Sequence, residues 1–105
     1  MKIDNIKQPS ECISMSDIRG EIDYLDESII KLIGIRYEYV MEASKYKTSE
    51  SNVRAPERFE ELLIQRRGWA VKEGLNPDVI EKLYRGLINY FIDEEMVKWR
   101  AENKK

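Results

Sequence analysis

The chain has 105 residues, 42% hydrophobic and 36% charged, with a formal net charge of −2 and both signs interspersed. That balance is too apolar for a disordered chain, fits one helical domain, and leaves no basic footprint for nucleic acid. No apolar run approaches the roughly 18 residues of a membrane span, and the start carries no signal-peptide pattern. With Cys12 as its single cysteine there is no internal disulfide, so a reducing cytoplasm is the expected location. The absence of histidine excludes a Ser-His-Asp relay, a Cys-His pair and an imidazole zinc site, so any catalysis rests on arginine, lysine, carboxylates or shape. Cys12, with no imidazole to activate it, reads as structural or incidental.

Residues 1–15 mix polar and apolar types without period, broken at Pro9-Ser10, and read as a loosely ordered arm. A long helix is then expected over 16–47, because Ile18, Ile22, Leu25, Ile29, Leu32, Val40 and Ala43 recur at steps of three and four. Ser16 suits the N-cap and Asp17 the positive end of the dipole. Such a rod is about 45 Å long. A compact chain of this size is only about 33 Å across. The rod would overhang its own globule, and a second copy of the same chain is the simplest cover for its apolar stripe.

Three cations on this stretch stand out: Arg19, Arg36 and Lys47. Arg36 and Lys47 continue the apolar row, on one helix face to within about 20° and roughly 16 Å apart. They either snorkel from the edge of the stripe or reach a ligand. Arg19 lies about 25 Å along the axis from Arg36, so the two meet at one small ligand only if Arg19 comes from a partner chain.

Residues 48–55 (TSESNVRA) read as a polar loop with Lys47 at its hinge. Pro56 suits the first position of a second helix over 56–73, with Gly74 as its C′ residue and Phe59, Leu62, Leu63, Trp69 and Ala70 on its apolar face. Arg58 falls in the first turn, where the dipole disfavours a cation. It either pairs with Glu57 or Glu61 or marks a bound anion at the free amides. Asn76-Pro77-Asp78 starts a third helix over 77–100, facing inward with Ile80, Leu83, Tyr84, Leu87, Ile88, Phe91 and Trp99. Glu95 sits in that apolar row, either as a rim salt bridge or as a buried carboxylate. The expected fold is all-α: one domain of three helices per chain with a long first helix, paired in an intertwined homodimer.

The stretches SDIRGEIDYLDESIIKLIGIRYEYVMEASKYK, VRAPERF and INYFIDEEMVKW resemble isochorismate-pyruvate lyases, members of the all-helical chorismate mutase family that serve salicylate biosynthesis. Their arginine, arginine and lysine spacing, then A-P-E-R, then an aromatic tail with tryptophan, spans about Cys12 to Trp99. The resemblance implies an active site shared between two subunits, with isochorismate or chorismate as a dicarboxylate substrate and no cofactor or metal. It implies that Arg19 is donated by the partner chain, that Arg36 grips a substrate carboxylate, and that Lys47 contacts the enolpyruvyl ether oxygen. Arg58 matches the arginine at the start of the second helix, and Glu95 the position where these lyases carry glutamine.

Two departures from the family bear on activity. Ordinary mutases carry acids at the positions of Ala55 and Phe59, contacting the ring hydroxyl, and an apolar Phe59 favours the lyase branch. An ionised Glu95 is acceptor-only and cannot donate to the ether oxygen as glutamine does, although some mutases of the class carry glutamate there. The implied reaction is a concerted elimination in which isochorismate loses pyruvate and leaves salicylate. It needs a held conformer and stabilisation of charge on the ether oxygen rather than a nucleophile. A chorismate mutase, as main or side activity, is the nearest alternative, and a helical interaction module with solvated cations is the alternative from another class.

Overall fold

A computed structural model describes residues 6–104; the first five residues of the expected arm lie outside them. Among the described residues the secondary structure is helical throughout. Contacts divide the chain into two compact units, Met1–Arg36 and Tyr37–Lys105.

In the first unit a short 3-10 turn, Pro9–Glu11, precedes helix α1, Met15–Ala43, which crosses into the second unit. The cap of α1 is Ser14 rather than Ser16: Ser14 Oγ accepts the Asp17 amide at 3.0 Å, and Asp17 Oδ2 accepts the Ile13 amide at 3.1 Å. That backbone hydrogen bond, with Lys7 3.4 Å away, keeps the Asp17 carboxyl below its ordinary pKa. No residue of α1 is buried, and Ile18, Ile22, Ile29 and Leu32 of its apolar row are exposed.

The second unit takes up the chain where α1 ends. The helix stops at Ala43, short of the expected 47, and passes into a 3-10 turn, Ser44–Tyr46. The physical reason is a polar knot. Buried Ser44 lies 2.8 Å from the Met41 carbonyl and 3.0 Å from Glu102 Oε1, while Lys98 Nζ donates to both the Met41 carbonyl and Ser44 Oγ at 3.0 Å. A cation and a hydroxyl both donate to the Met41 carbonyl at the helix end, where the dipole favours positive charge.

The expected loop 48–55 contains a short helix, α2, Glu50–Arg54. Ser49 caps it by accepting the Asn52 amide at 3.1 Å, and Val53 anchors it in the core. Ala55 then adopts the left-handed conformation (φ 39°) and joins α2 directly to α3, Pro56–Lys72. A residue before proline is disfavoured in the right-handed helical region, so the chain breaks there.

Helices α3 and α4, Pro77–Glu102, form a hairpin closed by four residues, short enough to make them antiparallel neighbours. Gly74 (φ 74°) closes α3: its amide donates to the Val71 carbonyl at 3.1 Å and the Leu75 amide to the Ala70 carbonyl at 2.9 Å, a Schellman motif. Asn76 Oδ1 caps α4 through the Asp78 amide at 2.9 Å, with Pro77 at its first position. Between the helices Leu62, Leu63 and Ile88 form the core, flanked by Phe59, Tyr84 and Ile92. Each fully buried leucine contributes about 2 kcal/mol. Farther along α4, Phe91 meets Tyr37 edge-on at 5.4 Å. Two residues expected on the inner faces are instead exposed. Leu83 faces outward, and Trp69 lies under the Arg66 guanidinium, 4.5 Å from its ring centre.

Gly74→Ala should destabilise the chain by about 1 kcal/mol, because a Cβ disfavours positive φ. The shift in urea midpoint at unchanged slope measures it.

Candidate active site

The centre of the site is built from the end of the 3-10 turn and one face of α4. Lys47 follows the turn in extended conformation, its amide bonded to the Ser44 carbonyl at 3.2 Å. Its own carbonyl accepts the Trp99 indole N–H at 2.9 Å. Its ammonium donates to the Asn52 carbonyl at 3.2 Å and lies 3.3 Å from Glu95 Oε2. Asn52 in turn accepts the Thr48 amide (3.1 Å) and hydroxyl (2.6 Å) through Oδ1, which ties the hinge to α2.

Glu95 is 3% exposed, so of the two readings of this residue burial and pairing hold together: it is a buried carboxylate in an ion pair. Its Oε2 is within ion-pair reach of Lys47 but has no hydrogen-bond partner of good geometry. A carboxylate taken out of water in this way depends on its counter-charge. The Lys47 side chain, 25% exposed, keeps an open side.

Arg58 stands in the first turn of α3, exposed, beside a shallow depression of about 380 Å³ lined with Ser51, Asn52, Ala55, Pro56 and Glu57. Among the described residues it forms no ion pair with Glu57 or Glu61. Two turns on, Arg66 is part-buried, stacked against Trp69 and 5.8 Å from the Tyr84 ring centre. Desolvation holds its pKa below the ordinary arginine value; Tyr84 opposes that shift and the like charge of Arg58 adds to it. Helix α3 therefore carries two like charges, Arg58 and Arg66, near enough for one to act on the other.

Arg19 and Arg36 both lie on unbroken α1, about 25 Å apart along its axis, Arg19 exposed and Arg36 half-buried. The helical register expected between Arg36 and Lys47 does not exist, because Lys47 lies beyond the end of α1. Of the expected site residues, the structure brings Lys47 and Glu95 into contact. Trp99, Asn52 and the Ser44–Lys98–Glu102 knot were missed by sequence reasoning. Trp99 carried one signal, since an indole in a buried row needs an acceptor for its N–H. Cys12 is half-buried and free, with Sγ 3.9 Å from the Gln8 carbonyl. Among the described residues no group of three or more histidine, cysteine or acidic side chains is arranged to hold a metal ion.

The profile of the family described as chorismate mutase type II matches residues 18–96, a span that holds Arg19, Arg36, Lys47, Arg58 and Glu95 and ends before Trp99. The chain belongs to that family. Among curated proteins, the isochorismate pyruvate lyase of Pseudomonas aeruginosa is 38% identical over 95 residues, covering 90% of this chain and 94% of that protein. The T-protein of Haemophilus influenzae is 38% identical over 73 residues, which is 69% of this chain but 19% of that longer protein. Among the described residues of this chain no helix is long and apolar enough to cross a membrane.

Removing one partner of the buried pair should cost more than neutralising the other. Lys47→Met should destabilise the chain by about 3 kcal/mol, Glu95→Gln by less than about 1 kcal/mol, and the double variant should recover most of the loss. Urea denaturation of the three variants checks the order.

Proposed function

We propose that this chain is an isochorismate pyruvate-lyase, converting isochorismate to salicylate and pyruvate by a concerted elimination with hydrogen transfer and without a cofactor. The carrying observation is the likeness to the Pseudomonas lyase along nearly the whole of both chains. The local geometry supports it: a lysine ammonium is held at a hinge between the Asn52 carbonyl and Glu95, with its side chain still partly open. The apolar Phe59, packed against the α3–α4 core, offers nothing to the ring hydroxyl that a mutase would hold.

In this reading Lys47 stabilises negative charge developing on the ether oxygen as the C–O bond breaks. A point charge with rotatable donors suits that single oxygen, whereas the planar forks of Arg36 and Arg58 suit carboxylates. Glu95 aims the Lys47 ammonium, and only its protonated form is itself a donor. The protein holds a flexible dianion in a reactive conformer, which is largely an entropic contribution.

A homodimer completes the site. Helix α1 leaves Ile18, Ile22, Ile29 and Leu32 of its apolar row exposed, and a second copy supplies the matching surface. The same copy supplies Arg19, which is too far along α1 to reach Arg36 in its own chain. Chorismate mutase activity is the second reading, favoured by the family profile and opposed by Ala55 and Phe59 in place of acids.

Purified protein given isochorismate should release salicylate, read by its fluorescence, and given chorismate should form prephenate far more slowly. Prephenate as the main product would reverse the order of the two readings. Lys47→Ala should lower kcat by about 10²–10³-fold, the scale of a lost oxyanion donor. Mixed Arg19→Ala and Arg36→Ala proteins, each nearly inactive, should regain activity on subunit exchange, because one heterodimer site is intact. No recovery after confirmed exchange excludes donation across the dimer.

A further inference from the structure

Three consecutive residues near the end of α4 hold three different points of the segment that joins α1 to α2. Lys98 binds the Met41 carbonyl and Ser44, the Trp99 indole binds the Lys47 carbonyl, and Arg100 pairs with Glu50 at the start of α2. The Arg100–Glu50 pair is open to solvent, where such pairs contribute little. The Trp99 contact is different in kind, because its hydrogen bond is part-buried and falls on the residue assigned to the ether oxygen.

Glu95 and Trp99 are one helical turn apart on the same face of α4. Glu95 meets the Lys47 ammonium at 3.3 Å and Trp99 meets the Lys47 carbonyl at 2.9 Å, so one stripe of α4 holds this residue at both ends. The carboxylate alone leaves the side chain free to pivot with its backbone, since Lys47 is extended and outside any regular helix. The indole removes that freedom by fixing the peptide plane between Lys47 and Thr48, and the Thr48 amide is then seated on Asn52.

We infer that Trp99 is a positioning residue: its indole N–H, acting through the Lys47 carbonyl, fixes the direction from which the ammonium enters the site. Its catalytic consequence rests on the proposed lyase reading; its structural content does not. Trp99→Phe keeps the ring and removes the donor. Replacement by β-(3-benzothienyl)alanine, which puts sulfur where the N–H stands, is the near-isosteric version should the phenylalanine variant fold poorly.

Two measurements decide it. Amide hydrogen exchange across residues 47–54 should be about tenfold faster in the donor-less variants than in the wild type, while the α3–α4 core is unchanged. In kinetics with isochorismate, removing the donor should lower kcat about tenfold with Lys47 present, but less than about twofold in a Lys47→Ala background. A purely structural tryptophan would lower kcat equally in both backgrounds, and that result overturns the inference, as does unchanged exchange across 47–54. If the wild type made neither salicylate nor prephenate, the proposed function would fall, and the exchange comparison would still decide whether Trp99 fixes Lys47.

Discussion

A lysine ammonium set against a buried carboxylate is the interaction on which the rest of this molecule turns. Glu95 lies deep in α4 among apolar neighbours, and a charge there is tolerated only with a counter-charge close by. Lys47 supplies it from a segment that belongs to no long helix. Within the unit from Tyr37 onward, α4 is therefore held by polar contacts at one edge and by hydrocarbon at the other. Leu62, Leu63 and Ile88 hold α3 to α4, while Ser44, Lys47 and Lys98 hold the end of α1 and the hinge.

This division of labour suits the proposed chemistry. A concerted elimination asks nothing of a nucleophile and much of the placement of charge. The hairpin of α3 and α4, stopped by a Schellman motif and restarted by an asparagine cap, is a rigid platform for such placement. Helix α1 shows the opposite economy. None of its residues is fully buried, and Ile18, Ile22, Ile29 and Leu32 of its apolar row are exposed, consistent with the proposed pairing of two copies.

Much of this was legible in the residues, for local reasons. Gly74 and Asn76-Pro77-Asp78 announce their turn and cap because one residue type satisfies each geometry. The three long helices follow from apolar period alone. What escaped was set by contacts distant in sequence. The end of α1 at Ala43 depends on Lys98, more than fifty residues away, and no local breaker marks it. Helix α2 hides in a polar stretch because only Val53 of its five residues is buried. Trp69 and Leu83 have the right period for a core but face outward, because period assigns a face without saying that anything covers it. At the candidate site, the charges of Lys47 and Glu95 were readable from residue type, but their mutual contact required the fold. The spacing of Arg19 from Arg36 needed only an unbroken helix.

The elbow at Ala55 limits how α2 can move. With a left-handed residue followed by a proline ring, neither torsion at that joint is soft, so α2 and the first turn of α3 behave as one bent lever. At the other end the chain is tied twice, the Lys47 carbonyl to the Trp99 indole and the Thr48 amide to Asn52. The short helix is thus braced at both of its ends rather than left to swing.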